Sequence, residues 1–279
     1  MVLATVLALG SAGLHTTWNL LLKSAPREAR DLTSWGLFVC GAVLVLPVII
    51  AIGGPGAAAV PWLVASGLVH IVYVTGLVGA YRHGDFSLAY PLARGGGALM
   101  AAVGGAVFLN DNLEIAAWIA LCVVAGGLIS LTTKGATALT VRDALMTACA
   151  IGAYTVIDAH GARIATSGLA YGLSSTVSAA GGISMAFLVR GRGPALVKAF
   201  PLQWRRWVVA GVCTAVAYAM VLVAVRHSPV GYVAMLRESS VVFGAAIGWL
   251  VLKEPFGAKR LVSSAVILSG LVALVAVTI

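Results

Sequence analysis

Two arginines stand inside stretches that are otherwise apolar, and Arg94 is the sharper signal for chemistry. Arg94 lies in YPLARGGGALM and Arg237 in VAMLRESSVV. A guanidinium in the bilayer interior costs about 2.5–3.5 kcal/mol on insertion scales, and such a residue usually faces a bundle interior with a partner. Arg94 carries a planar fork that suits a substrate carboxylate or phosphate better than a lysine would. Its alternative partner is Glu238, in a pair that would lock two spans together. The two arrangements can alternate within one cycle, with Glu238 holding Arg94 when the site is empty. Tyr90 lies one turn before Arg94 on the same face. Arg237 and Glu238 are adjacent, so on a helix they point about 100° apart and cannot both meet the same partner.

Other polar residues share faces with one another. His15, Trp18, Asn19 and Leu22 recur at helical spacing, a pattern that lines a cavity. Trp18 also suits an interfacial anchor. Tyr154 and Asp158 are one turn apart. Asp158 and Glu238 are the proton-coupling candidates, since an acid inside the membrane can carry a proton across it. A helix–helix hydrogen bond or a substrate amine are the other readings for Asp158. His70, with Tyr73 beside it, reads as a satisfied core histidine. Arg82, His83, Asp85, Arg226 and His227 fall at span ends and read as interfacial.

Enzyme constellations are missing: there is no HExxH, no GxxxxGK[ST] and no GxSxG. Carboxylates are too sparse for a metal cluster. Cys40, Cys122, Cys149 and Cys213 stand singly in apolar runs, without metal or redox spacing. Neither a catalytic activity, a metal nor a cofactor is expected.

The elements that must position these residues follow from composition. Of the chain, 61% is hydrophobic and only 10% charged, against about 25% charged in a soluble protein. Ten spans can be drawn, at 2–22, 32–52, 61–81, 86–108, 113–132, 141–165, 168–189, 204–226, 230–252 and 257–278. Continuous apolar runs without period-two alternation predict helices rather than a barrel. The longest break is Arg190–Arg206, so no soluble domain is expected. The first run lacks a basic leader and passes straight into further spans, which argues against a cleaved signal. Paired glycines, as in Gly104-Gly105 and Gly181-Gly182, predict close helix packing. Around Arg94, Pro91 and Gly95–Gly97 also allow a loosened helix that frees carbonyls beside a cavity.

Net charge is +9, but the cations sit in short turns and form no continuous basic face, so a nucleic-acid partner is not expected. All but four of the 18 Lys and Arg residues flank odd-numbered turns. Of those four, Arg163 and Arg226 flank even turns, and Arg94 and Arg237 lie within spans. The positive-inside rule then makes odd turns cytoplasmic and puts both termini outside. The chain also repeats itself. Arg82-His83 aligns with Arg226-His227, Arg94 with Arg237 and Asp111 with Glu254, while His15-Thr16 and Asn19 fall opposite Tyr154-Thr155 and Asp158. Residues 1–134 and 135–279 therefore read as two five-helix repeats. Five spans per repeat makes them oppositely oriented, and the substrate site is expected near mid-membrane where they meet.

HTTWNLLLK (His15–Lys23), YRHGDFSLAYPLARG (Tyr81–Gly95), AYTVIDAHGAR (Ala153–Arg163) and LKEPF (Leu252–Phe256) resemble recurring patterns of the drug/metabolite transporter superfamily, in its EamA-like ten-helix branch. The resemblance covers essentially the whole chain and is specific for family, not for substrate. It implies an all-α membrane protein whose two inverted repeats surround a central cavity and alternate between inward-open and outward-open states. Members mostly export amino acids, related metabolites or toxic compounds, and some import. By position, the resemblance puts His15, Trp18, Asn19, Tyr90, Arg94, Tyr154, Asp158, Tyr232 and Glu238 on cavity-facing helices. The first acidic turn, LNDNL, lacks the Glu-Pro of the second, so the two ends are expected to gate differently.

The expectation is a secondary-active carrier in a bacterial cytoplasmic membrane, monomer or homodimer, exporting a small polar metabolite. A zwitterion or anion fits best, with Arg94 at the acidic end and Asp158 or Glu238 holding an amine or a proton. Alternatives are uptake of an organic acid or phosphonate-like solute, a lipid flippase or lipid-handling enzyme, and an assembly scaffold, which buried charge disfavours.

Overall fold

The computed structural model describes residues 1–83, 86–130, 137–240, 242–243 and 258–278; of these, the side chains of 23, 27, 78, 81–83, 86–91, 258–261, 264 and 278 lie outside the description. The apolar runs fold as α1 (Val2–Lys23), α2 (Arg30–Ala51), α3 (Val60–His83), α4 (Phe86–Phe108), α5 (Ile115–Ser130), α6 (Ala138–Ile164), α7 (Gly168–Val189), α8 (Gly193–Ala224), α9 (Val230–Leu236) and α10 (Ala258–Thr278). Side chains set several boundaries. Thr137 caps α6 by accepting the Thr140 amide, and Ser167 caps α7 by accepting that of Ala170. Helix α4 ends where Asn110 turns left-handed at φ 54° and the Asp111 amide reaches back to the Gly105 carbonyl.

Three expectations fail here. The Arg190–Arg206 break is not a loop, because α8 already begins at Gly193. Pro194 at its start favours helix entry, Pro201 lies inside the helix, and further along it Trp207 packs into the space above Gly36. Secondly, α4 does not loosen around Arg94. Instead Gly95, Gly96 and Gly97 let it press against Leu128, Ala148 and Ile151. The loosening lies in the other half: α9 ends at Leu236, and the ninth span is interrupted at Arg237-Glu238 before helical backbone resumes at Ser239. There the Glu238 amide bonds the Met235 carbonyl and that of Ser240 the Arg237 carbonyl, each three residues back, so the chain tightens to a 3₁₀-like turn.

The helices distribute polarity inside out. Large apolar residues such as Ile50, Val64, Phe108, Ile115 and Val189 are exposed, while His15, His70, Arg94, Asp158, Arg237 and Glu238 are buried. By length and composition, Arg30–Ala51, Ala57–Leu77, Gly168–Val189 and Gly193–Ala224 each suffice to cross a bilayer. Segments Leu92–Phe108, Ile115–Ser130 and Ala265–Val277 are apolar but shorter.

Packing concentrates where glycine removes a side chain. Helix α2 crosses α8 at Gly41 and Gly211, where a β-carbon on Gly41 would come within 2.9 Å of the Gly211 carbonyl oxygen. Helix α3 crosses α7 at Gly67 and Gly182, where a β-carbon on Gly182 would overlap the Gly67 carbonyl. Helices α3 and α4 both pack on α6, α1 packs on α8, and α5 on α10. These crossings bring α1, α3, α4, α6, α8 and α9 around one buried polar cluster.

Candidate functional site

Arg94 on α4 meets Glu238, just past α9, in a two-pronged pair. Its Nη2 donates to Oε1 at 2.5 Å and its Nε to Oε2 at 3.2 Å. Both side chains are buried, at 9% and 3% exposure, so the charges face each other with little water between them. The fork–fork geometry matches guanidinium to carboxylate edge for edge. Of the two partners weighed for Arg94, this conformation has Glu238.

The tight turn at Arg237-Glu238 sends its two charges different ways. While Glu238 takes Arg94, the Arg237 guanidinium lies over the Tyr218 ring, 5.6 Å from its centre. Buried Arg237 Nε has no hydrogen-bond partner among the described residues, and neither do the Ser239 and Ser240 hydroxyls of the same turn. Arg237 is the residue sequence reasoning passed over. Its signal was present, a second arginine in an apolar span, but adjacency alone does not say which of two neighbours is neutralised.

Asp158 on α6 is fully buried and held by hydroxyls from three other helices. Ser66 on α3 donates to its Oδ2 at 2.9 Å, Tyr218 on α8 to the same oxygen at 2.7 Å, and Tyr171 on α7 to Oδ1 at 3.0 Å. Ser66, Tyr171 and Tyr218 had drawn no attention, because a hydroxyl in an apolar helix is common and only the acid's need for donors singles these out. Tyr218 thus serves two charges, with its oxygen toward Asp158 and its ring face toward Arg237.

Aromatic side chains wall the same region. Tyr154 stacks on His70 with centroids 4.4 Å apart, and meets Tyr73 and Tyr218 edge-on at 5.7 and 6.1 Å. His70 also bonds the Ser66 carbonyl through Nδ1 at 2.8 Å, in keeping with a satisfied core histidine. On α1, the Trp18 indole donates to His15 Nδ1 at 3.2 Å and the Asn19 amide to the His15 carbonyl at 2.8 Å, so these three do share one face. His15 is close enough to Arg94 and Arg237 to feel both charges, and Tyr154 feels Arg94, Arg237, Asp158 and Glu238.

One residue falls elsewhere. Tyr232 is buried in the apolar core and bonds Thr5 at 2.7 Å, apart from the charged cluster. The side chain of Tyr90 lies outside the described residues, as do those of Arg82 and His83, and Asp85 and Glu254 altogether. Arg226 is not simply interfacial: its Nη1 binds the Ala162 and Ala165 carbonyls and so caps the end of α6. Beside it, Asp111 accepts the Val230 amide at 2.6 Å and pairs with Arg163 at 2.8 Å. Arg163 Nε also donates to the Val225 carbonyl. The turns after α4, α6 and α8 are thereby tied together at one end of the bundle.

Clefts of about 450 and 320 Å³ open elsewhere, against Ile115, Trp118, Ile119, Cys122 and Val123, and against Gly36, Val39, Cys40, Leu196, Val197, Phe200 and Trp207. Both are apolar and include no member of the charged cluster, which we take as the site because charge buried among helices has the chemistry.

Residues 143–276 match the EamA-like transporter family. Over that segment, just under half of the chain, the match bears out the resemblance read from the sequence motifs. The chain is a helical, transporter-like membrane protein similar there to that family. A solved structure, described only as the crystal structure of a protein, superposes with TM-score 0.74 at 14% identity, covering 98% of each chain. At that identity the likeness concerns the fold. No curated protein matches the chain.

Proposed function

We propose that this EamA-like chain is a secondary-active transporter that exports a small polar metabolite, an amino acid or a related compound, by alternating access across the cytoplasmic membrane. One observation carries the reading: the buried Arg94–Glu238 pair joins a helix of residues 1–134 to the turn after α9 in residues 135–279. An ion pair between two halves is a two-state element, since a substrate that competes for either partner favours the arrangement in which they part. Around it, His15, Trp18, Asn19, Tyr154 and Asp158 supply the polar lining, and Asp158 or Glu238 holds a proton or a substrate amine.

The halves are related as inverted repeats in this proposal. In its support, the glycine crossings come in matching sets. Pairing α1 with α6, α2 with α7, α3 with α8, α4 with α9 and α5 with α10 turns the α2–α8 contact into the α7–α3 contact, and α1–α8 into α6–α3. Gly41–Gly211 and Gly182–Gly67 are corresponding crossings under that exchange. The family match over residues 143–276 also has the extent of one repeat.

Purified protein in proteoliposomes loaded with mixed amino acids and related metabolites, with and without a proton gradient, tests this. Efflux of a defined solute is expected, and Arg94→Gln or Glu238→Gln should abolish it while leaving the protein monodisperse. Native protein that moves no solute in either direction would refute transport, and full flux in both variants would remove the pair from the mechanism.

A further inference from the structure

We infer that Arg237, not Arg94, is the anchor for the acidic end of the solute, and that the solute carries a single carboxylate on an aromatic or apolar body. The inference rests on the transport reading for its context but stands on separate observations. Arg94 already has Nε and Nη2 on the two oxygens of Glu238, and the pair is neutral as a unit. Asp158 is no partner for Arg237, because three hydroxyls occupy its oxygens and the Tyr218 phenol stands between the two charges. Arg237 is 8% exposed, and its side chain makes no hydrogen bond or ion pair among the described residues, apart from its stacking on Tyr218.

That contact limits what the guanidinium has already been given. A ring centred 5.6 Å from Cζ offers the cation its π face but no oxygen acceptor for the N–H donors, which is what an oxyanion would supply. The same turn adds the buried, unpartnered hydroxyls of Ser239 and Ser240, two more potential donors. Buried polar atoms left without partners are uncommon in native proteins and call for an explanation. A bound carboxylate supplies one for Arg237.

Charge and shape narrow the ligand. With Arg94 neutralised by Glu238, one guanidinium is matched by one negative charge, which favours a carboxylate over a phosphate dianion. The connected rings of His70, Tyr73, Tyr154 and Tyr218, one pair stacked and the others edge-on, make the adjoining wall aromatic. Such a wall suits an aromatic or apolar body rather than a sugar.

Benzoate, its neutral isostere benzamide and inorganic phosphate are the probes, applied at constant ionic strength to the full chain in detergent by equilibrium dialysis and thermal unfolding. Benzoate should bind and raise the unfolding midpoint, whereas benzamide and phosphate should not. Arg237→Gln should weaken benzoate on the order of 100-fold, the loss typical of removing one partner of a buried charge pair, and Arg237→Lys should restore part of it. The comparison of probes on the native chain decides the matter even if Arg237→Gln misfolds. Absence of benzoate binding, a preference for phosphate, or binding unchanged in Arg237→Gln but lost in Arg94→Gln would each overturn the inference. Because binding is read without flux, Arg237-dependent binding by a chain that moves nothing would sink transport and leave the anchor standing.

Discussion

A carboxylate buried beside a guanidinium is stable only as long as both are present. Removing either Arg94 or Glu238 leaves the other unpaired in a low-dielectric interior, at about 3–5 kcal/mol, whereas replacing both with apolar residues is often neutral. Arg94→Leu and Glu238→Leu should each lower the thermal unfolding midpoint in detergent, and the double variant should recover most of the loss. Asp158 makes a comparable demand on its neighbours. Asparagine offers one acceptor oxygen where the carboxylate offers two, so Asp158→Asn strands one or more of the Ser66, Tyr171 and Tyr218 hydroxyls. A destabilisation of about 1–3 kcal/mol is expected by the same measurement. At this scale much was legible, because charge inside an apolar run is conspicuous. His15, Trp18, Asn19, Tyr154, Asp158 and the Arg94–Glu238 option could all be read from type and spacing. What could not be read was which neighbour answers which charge, since that depends on where helices distant in sequence cross.

Helices report their existence in sequence more clearly than their interruptions. Apolar runs predicted α1 to α7 closely, because membrane-compatible length and composition leave few alternatives. The early start of α8 was hidden by Pro201 and by the cations Lys198, Arg205 and Arg206, which read as loop until Trp207 is seen packed over Gly36. The break at Arg237 carries no proline or glycine to announce it. Asp111 is a further element-scale device, since its carboxylate holds the first amide of α9 and Arg163 together. Asp111→Asn weakens two charge-assisted contacts, so amide exchange at Val230 should accelerate roughly tenfold to a hundredfold, as follows from about 1.5–3 kcal/mol. At the α3–α7 crossing, Gly182→Val drives a side chain into the Gly67 carbonyl. This variant should unfold at lower temperature than Gly181→Val, because a β-carbon on Gly181 meets nothing within 4 Å.

Among the described residues, large apolar side chains face outward and a charged cluster lies within, the reverse of a soluble protein. Its orientation is expected from charge, with odd turns cytoplasmic. Asp111, Arg163 and Arg226, which tie three even turns together, would then close the outer end. A protease-sensitive tag on either terminus should be cleaved from outside intact spheroplasts, and protection of both tags would reverse the assignment. One consequence follows from how α9 is fastened. Its first amide is clasped by Asp111, which follows α4, and the residue two places beyond its last turn is gripped by Arg94, within α4. A shutter screwed to the same frame at both edges cannot swing by itself. While both fastenings hold, α9 is tied to α4 in the other half of the chain, so in the proposed cycle the two repeats can part there only after a fastening has opened.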